Sequence, residues 1–207
     1  MIFAKRMLVP ALLLTALNCS AQNDNEEGSS TGVTDITKFI FTAGFSGEKR
    51  IGKYQTLYAK VFTALAFSFE YSDGLGSDSR FYIDPAIVLQ YRYYYNGRKR
   101  EQKGKRTAMN SMNYIGPVYK NNFSKRAMSS NYLEEDNRRS INTLAIVWGL
   151  QRNFRSRISI DLNVGPGYIF TKDTDVYSNG QRYTLQHRAF TLFTQFDIGL
   201  WLNRKKA

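Results

Sequence analysis

Residues 158–170 read ISIDLNVGPGYIF. Ile158, Ile160, Leu162, Val164, Tyr168 and Phe170 share one parity, while Ser159, Asp161, Asn163, Gly165 and Gly167 share the other. A strand turns successive side chains to opposite faces, so this segment has one apolar face and one polar face. Whether the apolar face meets a protein interior or lipid decides what kind of protein this is.

The same alternation recurs along the chain. Residues 39–46, 57–71, 81–95, 143–151 and 190–202 carry it, and 113–123 carries it more weakly because Pro117 interrupts the run. The chain has 14 Tyr and 14 Phe, with Gly, Asn and Ser gathered between the apolar runs, which reads as mostly β. No stretch stays apolar for the roughly 18 residues that a membrane-spanning helix needs.

Three features of the strands favour lipid. Several are longer than the five or six residues usual in a soluble sheet, and a tilted strand crosses hydrocarbon in about nine to eleven. The polar faces are small or charged, with Lys60, Glu70, Asp84, Arg92, Asp161 and Asp197 among Gly, Ala, Ser and Thr. In a narrow membrane barrel such a face lines a filled interior where opposite charges pair, whereas a soluble sandwich turns it to water. Aromatic residues also gather at strand ends: Phe69 and Tyr71; Tyr91, Tyr93, Tyr94 and Tyr95; Tyr168 and Phe170; and Trp201 near the last strand's end. Rings at headgroup level form the aromatic girdle expected of such a barrel.

The N-terminus has the layout of an export signal. Lys5 and Arg6 precede the apolar run 7–17, and Cys19, Ser20 and Ala21 place small residues before Gln22. Cleavage after Ala21 is expected, leaving a mature chain without cysteine. Lipidation at Cys19 is the competing reading, although Ala16 and Asn18 are poor flanks for it. The organisation read from the sequence is thus a signal peptide at 1–21, a polar disordered lead-in at 22–35 and a barrel at 36–207.

At this point the chain resembles a family. Residues 90–116, QYRYYYNGRKREQKGKRTAMNSMNYIG, and 149–170, GLQRNFRSRISIDLNVGPGYIF, look like segments of small outer-membrane β-barrel proteins of Bacteroidota. The resemblance implies an outer-membrane location and gives no activity, since most members have no assigned biochemical role. The alternating end FTLFTQFDIGLWL, residues 190–202, is the kind of terminal strand that outer-membrane assembly machinery recognises; the charged NRKKA after it departs from the plainest form.

Chemistry is sparse. His187 is the one histidine, flanked by Gln186 and Arg188, with Ser178 nine residues back. That is poor material for an acyl-transfer triad, and one His without mature Cys is poor material for a metal site. Asp173, Asp175 and the run Glu134, Glu135, Asp136 are acidic loop residues that could hold a divalent cation, though soluble loop tips are the commoner case. Residues 97–106, GRKREQKGKR, hold six basic side chains in ten within a formal charge of +12. They are read as a solvated turn near anionic lipid phosphates rather than a nucleic-acid patch.

The expectation is an all-β, antiparallel, up-and-down transmembrane β-barrel of eight strands, with ten as the alternative. Seven strands are visible; the eighth is sought in 32–36, 107–127 or 182–202. Turns at 72–79, 128–138 and 172–181 fall at one end, and those at 47–54, 97–110 and 151–156 at the other. The barrel is expected to be monomeric and non-catalytic, with a structural, adhesive or envelope-associated role in the outer membrane and without cofactor or metal. Its partners are outer-membrane lipids, lipopolysaccharide and the assembly machinery, and no nucleic acid. A lipid-modifying barrel enzyme and a soluble periplasmic lipid-binding barrel are the alternatives.

Overall fold

The computed structural model describes residues 32–72, 76–126, 134–177 and 179–203, of which 65–72, 76–80, 126, 134–136, 173, 175 and 176 are described in backbone alone. The export signal, Cys19 and residues 22–31 of the lead-in lie outside the described residues.

Eight strands make one closed sheet. They are β1 (Ile36–Ile40), β2 (Gly44–Gly52), β3 (Gln55–Ser72), β4 (Gly76–Tyr93), β5 (Asn113–Arg126), β6 (Glu134–Asn153), β7 (Ile158–Val176) and β8 (Arg182–Trp201). Each pairs antiparallel with the next, and β1 closes the ring by pairing with β8. The alternation in the sequence becomes the two faces of this ring. Thr56, Tyr58 and Lys60 of β3, Asp84, Val88 and Arg92 of β4, and Ser159, Asp161 and Asn163 of β7 point inward and are buried. Their neighbours Leu57, Ile83, Leu89, Ile158 and Leu162 point outward and are exposed, as are Ile146 (62%), Leu192 (66%) and Phe190 (91%). The apolar face therefore meets no other part of the described chain.

The eighth strand came from a segment that reads as one strand in the sequence. Residues 39–46 are a hairpin, in which Ile40 opposes Gly44 across the turn 41–43. Pairs in this hairpin share parity, so inward and outward residues keep alternating through the turn and the sequence shows no break. The bend lies at Ala43, whose φ of 51° is left-handed. A further correction follows, because residues 47–52, read as turn, belong to β2.

β1 and β2 have 5 and 9 residues, against 18 for β3 and 20 for β8. β1 meets β8 only at Gly199, Leu200 and Trp201, with the Phe41 amide donating to the Ile198 carbonyl just beyond. By contrast β7 and β8 pair from Ile158↔Leu200 to Val176↔Arg182.

The turns 53–54, 94–112 and 154–157 lie at the same end as Gly32 and Asn203, and the turn 41–43 lies at the other. The first end is closed by its own loops. Residues 32–35 belong to this floor rather than to the lead-in: Val33 is fully buried, and Asn110 holds the Thr34 amide and carbonyl at 2.7 and 2.9 Å. Met112 is buried beside Val33 in the same apolar cluster. The basic stretch 97–106 forms a short helix, α1 (Gly97–Gln102), and a turn in which Arg100 donates to the Arg106 carbonyl. Tyr54 anchors α1 by donating to Glu101 at 2.6 Å; that hydrogen bond, with partial burial, pushes the phenol up to about 12.

A non-glycine residue in the left-handed region costs roughly 1 kcal/mol. Ala43→Gly is expected to raise unfolding stability by up to about that amount and Ala43→Val to lower it, read as opposite shifts of the urea midpoint of the purified protein.

Candidate functional site

The densest chemistry in the molecule is inside the barrel. Arg92, at the inward face of β4, is fully buried and reaches three other strands. Its Nη2 meets Asp161 Oδ2 of β7 at 2.8 Å as an ion pair, and its Nη1 donates to Gln151 of β6 at 2.5 Å. Glu48 of β2 lies 3.8 Å from Nη1, and Nε donates to Gln90 at 2.8 Å. The guanidinium lies 3.7 Å from the Tyr58 ring centre and 4.3 Å from that of Tyr114. A planar cation with donors along its edge and aromatic rings over its faces is a use for which Lys is no substitute.

The carboxylates are satisfied in turn. Tyr114 donates to Asp161 at 2.7 Å, and Tyr94, Thr56 and Gln151 all donate to Glu48. A second centre lies beside it, where Lys60 of β3 donates to both carboxylate oxygens of Asp197 on β8 at 2.9 Å and sits 3.8 Å from the Phe62 ring centre. Lys38 of β1 is buried on the same inward face. Lys60 and Arg92 are thus paired with Asp197 and Asp161, with Glu48 close to Arg92, whereas Nζ of Lys38 has no hydrogen-bond partner among the described residues. Burying a charge is costly unless it is paired and hydrogen-bonded, and for Lys60 and Arg92 the pairing spans the lumen. Gly149 makes room for the centre: a Cβ there would fall 2.1 Å from Cζ of Tyr114.

Of the interior charges named from the sequence, Lys60, Arg92, Asp161 and Asp197 form these two centres. Asp84 is buried farther along, where it and Lys120 line a cavity of about 220 Å3. The side chain of Glu70 lies outside the described residues. Glu48 and Lys38 escaped sequence reading because the β1–β2 hairpin did. Tyr58 and Tyr114 escaped because an inward aromatic residue has no signature of its own.

The aromatic residues divide differently from the sequence reading. Tyr93 and Tyr95 face outward and are exposed, with Trp148 Nε1 donating to Tyr95 at 2.8 Å. Tyr91, Tyr168 and Phe170 are half-buried, and Tyr168 meets Phe190 edge-on at 5.2 Å. One assignment needs correction. Trp201 is not a girdle residue: it is 4% exposed, and its indole donates to the Phe154 carbonyl at 2.9 Å. It shares the inward parity of Asp197 and Gly199, so strand position overrides the general preference of Trp for interfaces. Tyr94, between outward Tyr93 and Tyr95, has the parity of Gln90 and Arg92 and points inward, donating to Glu48. The side chains of Phe69 and Tyr71 lie outside the described residues.

His187 opposes Thr171 in the β7–β8 register and is half-buried; Ser178, its sequence-level companion, lies outside the described residues. Among the described residues no three His, Cys, Asp or Glu side chains converge as a metal site requires. The side chains of Glu134, Glu135, Asp136, Asp173 and Asp175 are not among those described.

Removing one member of a buried pair strands the other charge, typically at about 3–5 kcal/mol. Lys60→Met alone should lower the unfolding free energy by that order, and Lys60→Met combined with Asp197→Leu should lose less than either single change. Urea unfolding of the four proteins, taken as a double-mutant cycle, measures the difference.

No protein-family model, no curated protein and no solved structure matches this chain.

Proposed function

We propose that this chain is an outer-membrane β-barrel with a structural, envelope-associated role and no catalysis, akin to the small Bacteroidota barrels its sequence resembles. The observation that carries the reading is the inversion of its two faces. Leu144, Ile146, Leu162, Phe190, Leu192 and Phe196 stand on the outside of a closed sheet, while Lys60, Arg92, Asp161 and Asp197 are within it. A soluble lipid carrier needs the reverse, an apolar lumen and a polar exterior. In water this outer face would be an apolar surface far beyond the few hundred Å2 that soluble monomers usually expose. In hydrocarbon it is the favourable solvent contact, and ring closure supplies the backbone partners that lipid cannot.

On β7 the outward apolar run extends from Ile158 to Phe170, longer than the nine to eleven residues that a tilted strand needs to cross. The filled lumen favours a structural part over a conduit: Arg92, Tyr58, Tyr94 and Tyr114 occupy its centre, and Val33 and Met112 lie in the floor. Eight-stranded barrels generally have an interior just wide enough for side chains.

Envelope fractionation tests the location. The processed chain is expected in the outer-membrane fraction, released by detergent alone and migrating faster on SDS gels before heating than after. A freely water-soluble, monodisperse chain would overturn the reading. A substitution tests the solvent directly. Ile146→Arg places a cation where 62% of the residue is exposed. An exposed site in water tolerates such a change within about 0.5 kcal/mol. A lipid-facing site near mid-bilayer should lose about 2–4 kcal/mol in bilayer unfolding.

A further inference from the structure

The wall of the barrel is incomplete beyond the short β1–β2 hairpin. β1 last meets β8 at Ile40↔Gly199, and β2 last meets β3 at Phe45↔Val61. Past those rows β3 runs on from Thr63 to Ser72, paired with β4. Likewise β8 is paired with β7 from Arg182 to Asp197, and among the described residues neither stretch has a second neighbour. The Ile198 carbonyl and the Leu202 amide hydrogen-bond toward β1. Backbone direction alternates along an antiparallel strand, so Leu192, Thr194 and Phe196 turn theirs to the same side, into the gap between β8 and β3.

The gap meets a cavity in the lumen. This space of about 220 Å3 is lined by Asp84 of β4, Lys120 and Asn122 of β5, and Leu192 and Phe193 of β8, among others. Leu192 also stands strongly exposed on the outer face, so the cavity reaches that face at the free edge of β8. Toward the floor it adjoins the Lys60–Asp197 centre, where the Phe62 ring centre lies 3.8 Å from Lys60 Nζ and 5.7 Å from Lys120 Nζ.

The charges in this cavity are uncommitted. Asp84 is 7% exposed and Lys120 is half-buried, and neither has a hydrogen bond or ion pair among the described residues. Oδ1 of Asn122, which opposes Ala86 on β4, is buried without a partner as well. The carboxylate of the neighbouring centre, Asp197, gives both oxygens to Lys60. Buried charges left unpaired in one space call for a ligand that brings both an ammonium and an anion.

We propose that this cavity takes the headgroup of a phosphoethanolamine phospholipid through the gap between β3 and β8, with the acyl chains outside against Leu192 and Phe190. The inference rests on the reading of the barrel as membrane-spanning and names a lipid for it. The ammonium donates to Asp84 and Asn122, and Lys120 donates to the phosphate, each a charge-assisted hydrogen bond. The cavity is smaller than the roughly 300–1,000 Å3 of pockets for drug-sized ligands, so it admits a headgroup and leaves the chains in the bilayer. The gap favours the same occupant. Free backbone N–H and C=O groups are expensive in hydrocarbon, and the ester and phosphate region of a phospholipid gives them partners that acyl chains cannot. Four residues on from Leu192 the outer face of β8 turns polar at Arg188 and Gln186, which puts the opening close to headgroup depth. A free amino acid carries the same two charges but leaves the gap and Leu192 without an occupant.

The test uses the full mature chain, purified in a neutral detergent. The probes are phosphatidylethanolamine, phosphatidylglycerol with the same acyl chains, and water-soluble glycerophosphoethanolamine. Lipid retained on the protein is counted by native mass spectrometry. Phosphatidylethanolamine should be retained at least about tenfold better than phosphatidylglycerol, since one charge-assisted hydrogen bond is worth that much. Asp84→Asn should remove the preference, and Lys120→Gln should lower retention of both lipids, each with heat-modifiable migration intact. A phosphatidylethanolamine with a photoreactive group high on one acyl chain should label the β8 stretch around Leu192 in the unsubstituted protein. The preference and the labelling stand even if the variants do not fold.

Equal retention of the two lipids, labelling spread evenly over the strands, or a folded Asp84→Asn protein that keeps the preference would each overturn the proposal. So would competition by glycerophosphoethanolamine at the concentrations where the lipid binds, which would indicate a site for a free zwitterion. If the chain is soluble without detergent, the membrane reading falls and this site with it. If it is a detergent-dependent, heat-modifiable barrel that ignores the headgroup, this inference alone falls.

Discussion

Charge neutralisation inside the ring governs this structure. A sheet that turns its apolar side chains outward has only polar residues left with which to fill its centre, and such residues are costly to bury unless each finds a partner. Arg92 resolves this for most of the lumen, joining β4 to β7 through Asp161, to β6 through Gln151 and to β2 through Glu48. The rings of Tyr58 and Tyr114 both pack against the guanidinium, which is fully buried. The interior is thereby held by directional contacts between strands that are not neighbours in the sheet, whereas a soluble barrel uses non-directional apolar packing.

That arrangement explains which parts of the molecule were legible in the sequence. The outward face was, because every second residue of the six long strands is predominantly apolar, and the alternation marks one face of each strand without reference to its partners. Lys60, Arg92, Asp161 and Asp197 stood out as charges on the opposite parity, so their inward placement followed from the alternation. Their pairing did not, because which cation meets which carboxylate depends on strands brought together across the ring. Glu48 shows the limit well. It was hidden because a three-residue turn preserved parity from Phe39 to Ser46, leaving β2 to read as a turn. Trp201 was misplaced for the complementary reason: residue type was given more weight than strand position, and position decided.

The outer surface has its own internal logic. Where the row Asn142, Phe170 and Arg188 separates apolar from cationic and amide side chains, three adjacent strands change together. A random scatter of surface polarity would not respect the register. Coordination of this kind fits the proposed bilayer, in which each strand would carry the boundary between two solvents at a fixed position.

The β1–β2 hairpin gives the ring an uneven circumference. Its join to β8 spans three residue pairs and brings together Thr37 and Asn203, 166 positions apart in the chain, whose backbone and side chain meet at 2.9 Å. Contacts between such distant segments form slowly and carry the largest loop-closure cost. The Lys60–Asp197 bridge links β3 and β8, the two strands that flank this hairpin, and so clamps the join from within. The ring is thus narrowest in hydrogen bonding where its two ends meet, and the buried Lys60–Asp197 pair ties together the strands on either side of that seam.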